Sequence, residues 1–203
     1  MNKSAPTPIR KKPIPSGPVQ TSSAKPEIAF YRSNEKPYGA FSNLFRREIV
    51  FEGRAYPTAE HAYQAGKARK EAVREWILSA PTPALVAMAA HGLYTWDIVS
   101  DWSQTKFDRM RAVLRAKFSQ HDDLLKLLLS TGDARLVEVG KVDNAVNRLW
   151  GEVNGKGSNK LGTLLMEIRE ELRGNVSDRL GKPNRSGRTA KRSKVVRPAL
   201  RAV

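Results

Sequence analysis

The chain has 203 residues, with 36 Lys and Arg against 20 Asp and Glu and no cysteine. That length suits one ordinary domain of roughly 100–150 residues with terminal extensions. The lack of cysteine excludes a disulfide scaffold, a thiol nucleophile, an iron–sulfur centre and any Cys-ligated zinc. No run approaches the ~20 apolar residues of a membrane-spanning helix. The first residues lack the apolar stretch of a secretory signal, and their prolines argue against a transit helix. A cytoplasmic location is the expectation.

The formal net charge of +16 is unevenly spread. Residues 1–26 contribute +5 with no acid, and residues 174–203 contribute +8 with Asp178 as the only acid, which leaves 27–173 at +3. The first segment holds six of the twelve prolines among Ser, Thr and Lys. Such a composition buries too little apolar surface to offset its ordering entropy. The last segment, from Gly174, is rich in Arg, Lys, Ser and Gly. Both therefore read as disordered basic tails flanking one domain at 27–173. They serve either as solubilising extensions or as arms for a polyanion such as nucleic acid, drawn by counterion release. Neither carries an aromatic residue for base stacking.

Between the tails there is no internal repeat. Ile28-Ala29-Phe30-Tyr31 and Ile49-Val50-Phe51 are β-prone, Gly53 marks a turn, and together they suggest a small sheet or ribbon. Thr58 is placed to cap a helix running to about Lys70. Further helices are expected at about 70–79, at 83–91 between Thr82 and Gly92, at 102–118, at about 122–130 and at about 159–172. Leu136 to Val139 alternates as a short strand would. The 102–118 pattern is the clearest, with Phe107, Met110, Val113, Leu114 and Phe118 in one arc. Trp102, in its first turn, either completes the core or lines a cleft. The sum is a mainly α domain with a few short strands, an α+β class.

The helix beginning after Thr58 divides its faces unusually. Glu60, Gln64 and Lys67 lie at i, i+4 and i+7 and form one polar stripe, with Tyr63 beside it. Ala62, Ala65 and Gly66 on the other side admit a close neighbour, which would hold the stripe rigid as a catalytic carboxylate requires. Glu60 lies in the first turn, where free backbone N–H groups favour its ionised form. The alternative is a solvated, hydrogen-bonded face. His61 points away from the stripe. His91 and His121 complete no metal-ligand spacing, so no metal is expected.

A second cluster comprises Asp143, Trp150-Gly151, and Gly155, Gly157, Ser158 and Asn159 before Leu161-Gly162. A glycine-rich turn entering a helix brings backbone amides to a phosphate. Neither the dinucleotide fingerprint nor the Walker spacing is met. The alternative is a loop of glycine-dependent turns closed by a Ser158/Asn159 cap.

Taken in order, these segments resemble the NADAR (YbiA-like) family from about Phe30 to Arg173. The resemblance rests on Tyr38-Gly39, Phe41-Ser42-Asn43-Leu44-Phe45, Gly53, Tyr56-Pro57-Thr58-Ala59-Glu60-His61 and Tyr63-Gln64-Ala65. It continues through Trp102, Lys117-Phe118, Thr131-Gly132-Asp133, Val137-Glu138, Asp143, Trp150-Gly151, Gly157, Asn159 and Leu161-Gly162. It implies a YbiA-like single domain and hydrolysis of an N-glycosidic bond. The implied substrates are, first, phosphoribosylamino-pyrimidine intermediates of riboflavin biosynthesis and, second, ADP-ribose on guanine in nucleic acid. A non-catalytic module binding ADP-ribose or NAD is the further alternative. The family's catalytic Glu, Trp and Asp map onto Glu60, Trp102 and Asp143. Glu60 would stabilise the oxocarbenium-like ribose or activate water, Trp102 would stack on the leaving base, and Asp143 would act as base or ribose ligand. Asn43, Tyr63, Gln64, Lys67, Trp150 and Asn159 are the candidate substrate-binding residues, with Asn43, Gln64 and Lys67 directed at ribose hydroxyls and phosphate. No metal or redox cofactor is required.

Overall fold

A computed structural model describes residues 25–181; the expectations for residues 1–24 and 182–203 lie outside it. In chain order the domain runs through strand β1 (Glu27–Phe30), a 3-10 turn at Tyr38–Phe41, and strands β2 (Ile49–Phe51) and β3 (Arg54–Tyr56). Helices α1 (Ala59–Ala65), α2 (Glu71–Leu78) and α3 (Pro83–His91) follow, then a 3-10 turn at Thr95–Asp97. Helices α4 (Trp102–Gln120) and α5 (Asp122–Ser130), strand β4 (Arg135–Glu138), and helices α6 (Ala145–Trp150) and α7 (Lys160–Gly181) complete it. The mainly α, α+β class read from the sequence is the class observed.

Helix α4 is the central post. Its Met110, Leu114 and Phe118 enter a core with Phe30, Phe41, Tyr63, Leu128, Leu136, Leu165 and Ile168. On its other side Val113 meets Ile49, Tyr56, Ala59, Ala62 and Ala65. The 3.6-residue spacing of these apolar positions is what makes α4 a core helix. Thr58 and Thr82 cap α1 and α3 by accepting from the backbone N–H groups of His61 and Leu85, as Ser/Thr caps do.

Several expectations are corrected. The two early strands do not share a sheet. β1 pairs in parallel with β4, setting Phe30 opposite Glu138, while β2 forms a separate antiparallel hairpin with β3. The hairpin turns through Glu52 and Gly53, both at positive φ (51° and 77°), the geometry two-residue hairpin loops favour. Helix α1 ends at Ala65 rather than near Lys70. Beyond it the backbone pairs with residues 97–99 instead: Arg69 N–H donates to the Asp97 carbonyl and Val99 N–H to that of Lys67. Helix α6 has no counterpart in the expected elements. It is six residues long, with its N-terminus fixed by the Asn144 side chain accepting from Asn147 N–H at 2.8 Å. Helix α7 continues to Gly181, beyond the helix end expected near residue 172. A mid-helix glycine such as Gly174 costs only about 1 kcal/mol, too little to end a helix already anchored on the core.

Gly151, Gly157 and Gly162 of the second cluster serve close packing. At Gly151 a Cβ would overlap the Glu138 carbonyl oxygen, and at Gly162 it would overlap that of Leu136. The start of α7 thus lies directly on β4. Gly162→Ala is expected to lower unfolding free energy by roughly 1–3 kcal/mol, as overpacking does. Urea denaturation of the two proteins checks this.

Candidate active site

A cavity of about 200 Å³ opens between residues 42–44, α1, α3, β4 and α6. Its walls include Asn43, Glu60, Tyr63, Gln64, His91, Glu138, Asn147 and Trp150. Clefts that enclose drug-sized ligands run to roughly 300–1,000 Å³, so this one encloses a single ring and leaves the rest of a larger molecule outside.

Every residue of α1 is buried. The polar stripe is therefore an interior feature, and the solvated-face alternative is excluded. Glu60 is 8% and Gln64 3% exposed, and Gln64 Nε2 donates to Glu60 Oε1 at 2.8 Å. Behind the stripe, the guanidinium of Arg109 occupies the space a side chain at Gly66 would fill. Its Nε and Nη2 donate to the carbonyls of Ala62 and Tyr63, at 3.1 Å to Tyr63 and 2.7 Å for the shorter bond to Ala62. Gly66 leaves room for this clamp, while Ala62 and Ala65 pack against Ile49, Tyr56 and Val113.

Burial pushes the Glu60 carboxyl up to about 7, against the opposing pull of the Gln64 N–H. The ionised form expected from the helix start is not favoured, because desolvation outweighs the short dipole of a seven-residue helix. The second carboxyl in the cavity belongs to Glu138. It is raised to about 7 by burial and then by the negative charge of Glu60. Glu138 is half-buried and lines the cavity. Its backbone is pinned by Asn159 Oδ1, which accepts from Glu138 N–H at 3.1 Å while Asn159 Nδ2 donates to the Leu136 carbonyl at 2.8 Å. His91, also on the wall, is held below the usual imidazole range by burial and then by Lys67. Burial likewise raises the Tyr63 hydroxyl, so it stays protonated.

The aromatic wall is layered. The Trp150 ring stands edge-on to Tyr63 at 5.6 Å, and Trp102 packs on Tyr63 at 5.1 Å. Trp150 faces the cavity; Trp102 lies one ring behind it. Of the expected residues, Glu60, Asn43, Tyr63, Gln64 and Trp150 come together on the wall. Lys67 turns aside, its Nζ donating to the Ala90 carbonyl at 2.6 Å. Asn159 braces β4 rather than facing the cavity. Asp143 is on the surface, ion-paired with Arg148 just before α6, and the structure does not bring it to the cavity. Glu138, His91 and Asn147 were missed as site residues. The available signal for Glu138 was its place two residues beyond Leu136 on one strand, an acid on a core-facing side.

The family model described as the NADAR domain matches residues 29–173. The chain belongs to the NADAR family. It is 42% identical over 146 residues to N-glycosidase YbiA of Shigella flexneri serotype 5b (strain 8401), covering 71% of this chain and 88% of that protein. It is 33% identical over 155 residues to riboflavin biosynthesis protein VVA0006 of Vibrio vulnificus (strain YJ016), covering 76% of this chain and 41% of that protein. The NMR structure of E. coli YbiA superposes with a TM-score of 0.68 at 35% identity, covering 86% of this chain and 99% of that one.

The raised carboxyl pKa of this NADAR domain has a stability signature. A carboxyl that titrates near 4.5 when unfolded and near 7 when folded binds more protons in the native state between those values. Stability therefore falls as pH rises through that window. Glu60→Gln, which keeps an acceptor for Gln64, is expected to be more stable than wild type at pH ~8 by up to about 3 kcal/mol. The gain should vanish near pH ~4. Denaturant titrations of both proteins at the two pH values check it.

Proposed function

We propose that this NADAR N-glycosidase hydrolyses the C1′–N bond of a ribosylated aminopyrimidine, foremost the phosphoribosylamino-pyrimidines of riboflavin synthesis. One observation carries the reading: two interior carboxyls, both titrating near 7, share a ring-sized cavity with an aromatic wall. The name of the Vibrio relative supports the choice of substrate.

The environments of the two acids divide the roles. Glu60 accepts an N–H from Gln64, which favours its carboxylate. Glu138 accepts repulsion from Glu60, which favours its protonated form. Glu138 gives its proton to the departing nitrogen as the C1′–N bond breaks. Glu60 stabilises the positive ribose and takes a proton from the water whose oxygen bonds C1′. Free base and free sugar leave, and the proton on Glu60 returns to Glu138 through solvent. Tyr63 and Trp150 offer ring edges and faces to the base. Trp102 supports Tyr63 from behind. Asp143 stands one residue before the cap of α6, the helix that carries Asn147 and Trp150. There it is the group available to a ribose hydroxyl once it leaves Arg148.

Guanine-linked ADP-ribose offers the same scissile bond, and the +13 excess of the terminal segments favours it as a second reading. A side-by-side assay of released base from ribosylaminopyrimidines and from ADP-ribosylated DNA separates the two; faster turnover of the pyrimidines is expected.

The pair of acids also fixes the pH profile. Glu60 must be ionised, so kcat/KM rises with pH through its pKa, and Glu138 must be protonated, so kcat/KM falls above its own. The expected profile is a bell centred near 7. Glu60→Gln and Glu138→Gln are each expected to lower kcat by about 10²–10⁴-fold. In Glu138→Gln the alkaline fall should disappear. Glu60→Gln with activity near wild type would refute the assignment.

A further inference from the structure

Two side chains of the cavity lining each keep one oxygen with nothing to bond. Asn43 is 8% exposed and Gln64 3%, yet Asn43 Oδ1 and Gln64 Oε1 have no hydrogen-bond partner. Their orientations follow from what their nitrogens do. Gln64 Nε2 serves the Glu60 carboxyl, which needs a donor, so its oxygen is the end left over. Asn43 Nδ2 lies 3.2 Å from the sulfur of Met110. A thioether accepts weakly and never donates, so turning the amide over would set oxygen against sulfur. Both free ends are therefore acceptors. A buried acceptor left unmade costs on the order of 1–3 kcal/mol, a cost a fold retains where a ligand removes it.

The rest of the wall offers donors as well, among them the Tyr63 hydroxyl, but it holds no Lys or Arg cation. Its charged groups are the two carboxyls. We infer that Asn43 Oδ1 and Gln64 Oε1 are the specificity-determining acceptors of this cavity, reading a pair of hydrogen-bond donors on the ligand. The donors are either ribose hydroxyls or the amino groups of the base. The same inventory gives a phosphate no seat there, so the phosphate end of a phosphoribosyl ligand lies outside. This differs from the sequence expectation, in which Asn43, Gln64 and Lys67 share hydroxyls and phosphate. The inference rests on the N-glycosidase reading for its choice of probes.

Equilibrium binding, which needs no turnover, tests it. The full chain is titrated by calorimetry with two matched pairs: ribose 5-phosphate against 2-deoxyribose 5-phosphate, and 5,6-diaminouracil against uracil. In at least one pair the donor-bearing probe should bind roughly tenfold tighter, and the pair that discriminates names the donors. Asn43→Leu should bring that ratio to within about twofold without lowering the melting temperature, because it removes an unpaired oxygen. The inference is overturned if wild type binds both members of both pairs within about twofold. It is equally overturned if Asn43→Leu keeps the ratio, or if no probe binds at millimolar concentration. If the variant does not fold, the wild-type pairs still decide. Discrimination without hydrolysis of any ribosylated base would retain the acceptors and reject the hydrolase; hydrolysis without discrimination would do the reverse.

Discussion

Three basic side chains turned toward the interior tie down the segments that wall the cavity, and all three grip backbone carbonyls. Arg109 takes those of Ala62 and Tyr63 in α1, Lys67 takes Ala90 in α3, and Lys117 takes Ala40 and Ser42 beside Asn43. Each of these carbonyls belongs to a segment that supplies a wall. Bonds from charged donors are stronger and shorter than neutral ones, so the walls are fixed from behind. The requirement reaches down to single positions. Gly66 has no Cβ because the Arg109 guanidinium needs that volume.

Directing the cations at carbonyls has an electrostatic consequence at the front of the cavity. An ammonium or guanidinium beside Glu60 or Glu138 would have pulled its pKa down and left a permanent carboxylate. With the cations committed elsewhere, burial acts on the acids unopposed except by Gln64, and both titrate near neutrality. Lys117 meets the mirror image of the same physics. Burial lowers its ammonium to about 7, while the Phe45 and Phe118 rings lie 5.6 and 5.3 Å from its nitrogen. The scaffold thus keeps these cations away from the two cavity carboxyls.

Much of this was legible in the sequence, and the parts that were not share a cause. Helix α4, the Thr82-to-Gly92 limits of α3 and the Thr58 cap follow from periodicity and capping, which are local. The stripe of Glu60 and Gln64 was visible too, but whether it faced water or the interior depended on what covered it. The answer lay in α3, α6 and β4, as many as 90 residues away along the chain. Glu138 escaped notice because an acid ending a short strand is ordinary until a parallel partner, Phe30, and a covering helix enclose it. The end of α1 was misplaced because residues 67–69 pair with 97–99, a non-local contact that overrides helix propensity. For Asp143 and Trp102 the sequence supplies motif order and no position in space. Order along a chain fixes neither depth nor direction, and here one faces solvent and the other stands behind Tyr63.

The glycine-rich segment 151–159 illustrates how backbone geometry, rather than side-chain chemistry, tunes the second acid. Read as a phosphate cradle, it would present free amides to a ligand. Instead its amides turn inward: Glu152 N–H donates to the Glu138 carbonyl and Asn159 N–H to that of Gly151. Gly151 passes so near Glu138 that any Cβ would strike the strand. Asn159, at a positive φ of 44°, closes on β4 with both ends of its amide. Three backbone constraints therefore converge on one residue, and that residue carries the carboxyl facing Glu60 across the cavity. Proton transfer to a leaving group tolerates only small errors of placement, of order 0.5 Å. A strand end is normally the loosest part of a sheet, and a two-stranded one especially so. The loop's glycines and the Asn159 brace supply the rigidity at Glu138 that β1 and β4 alone would lack.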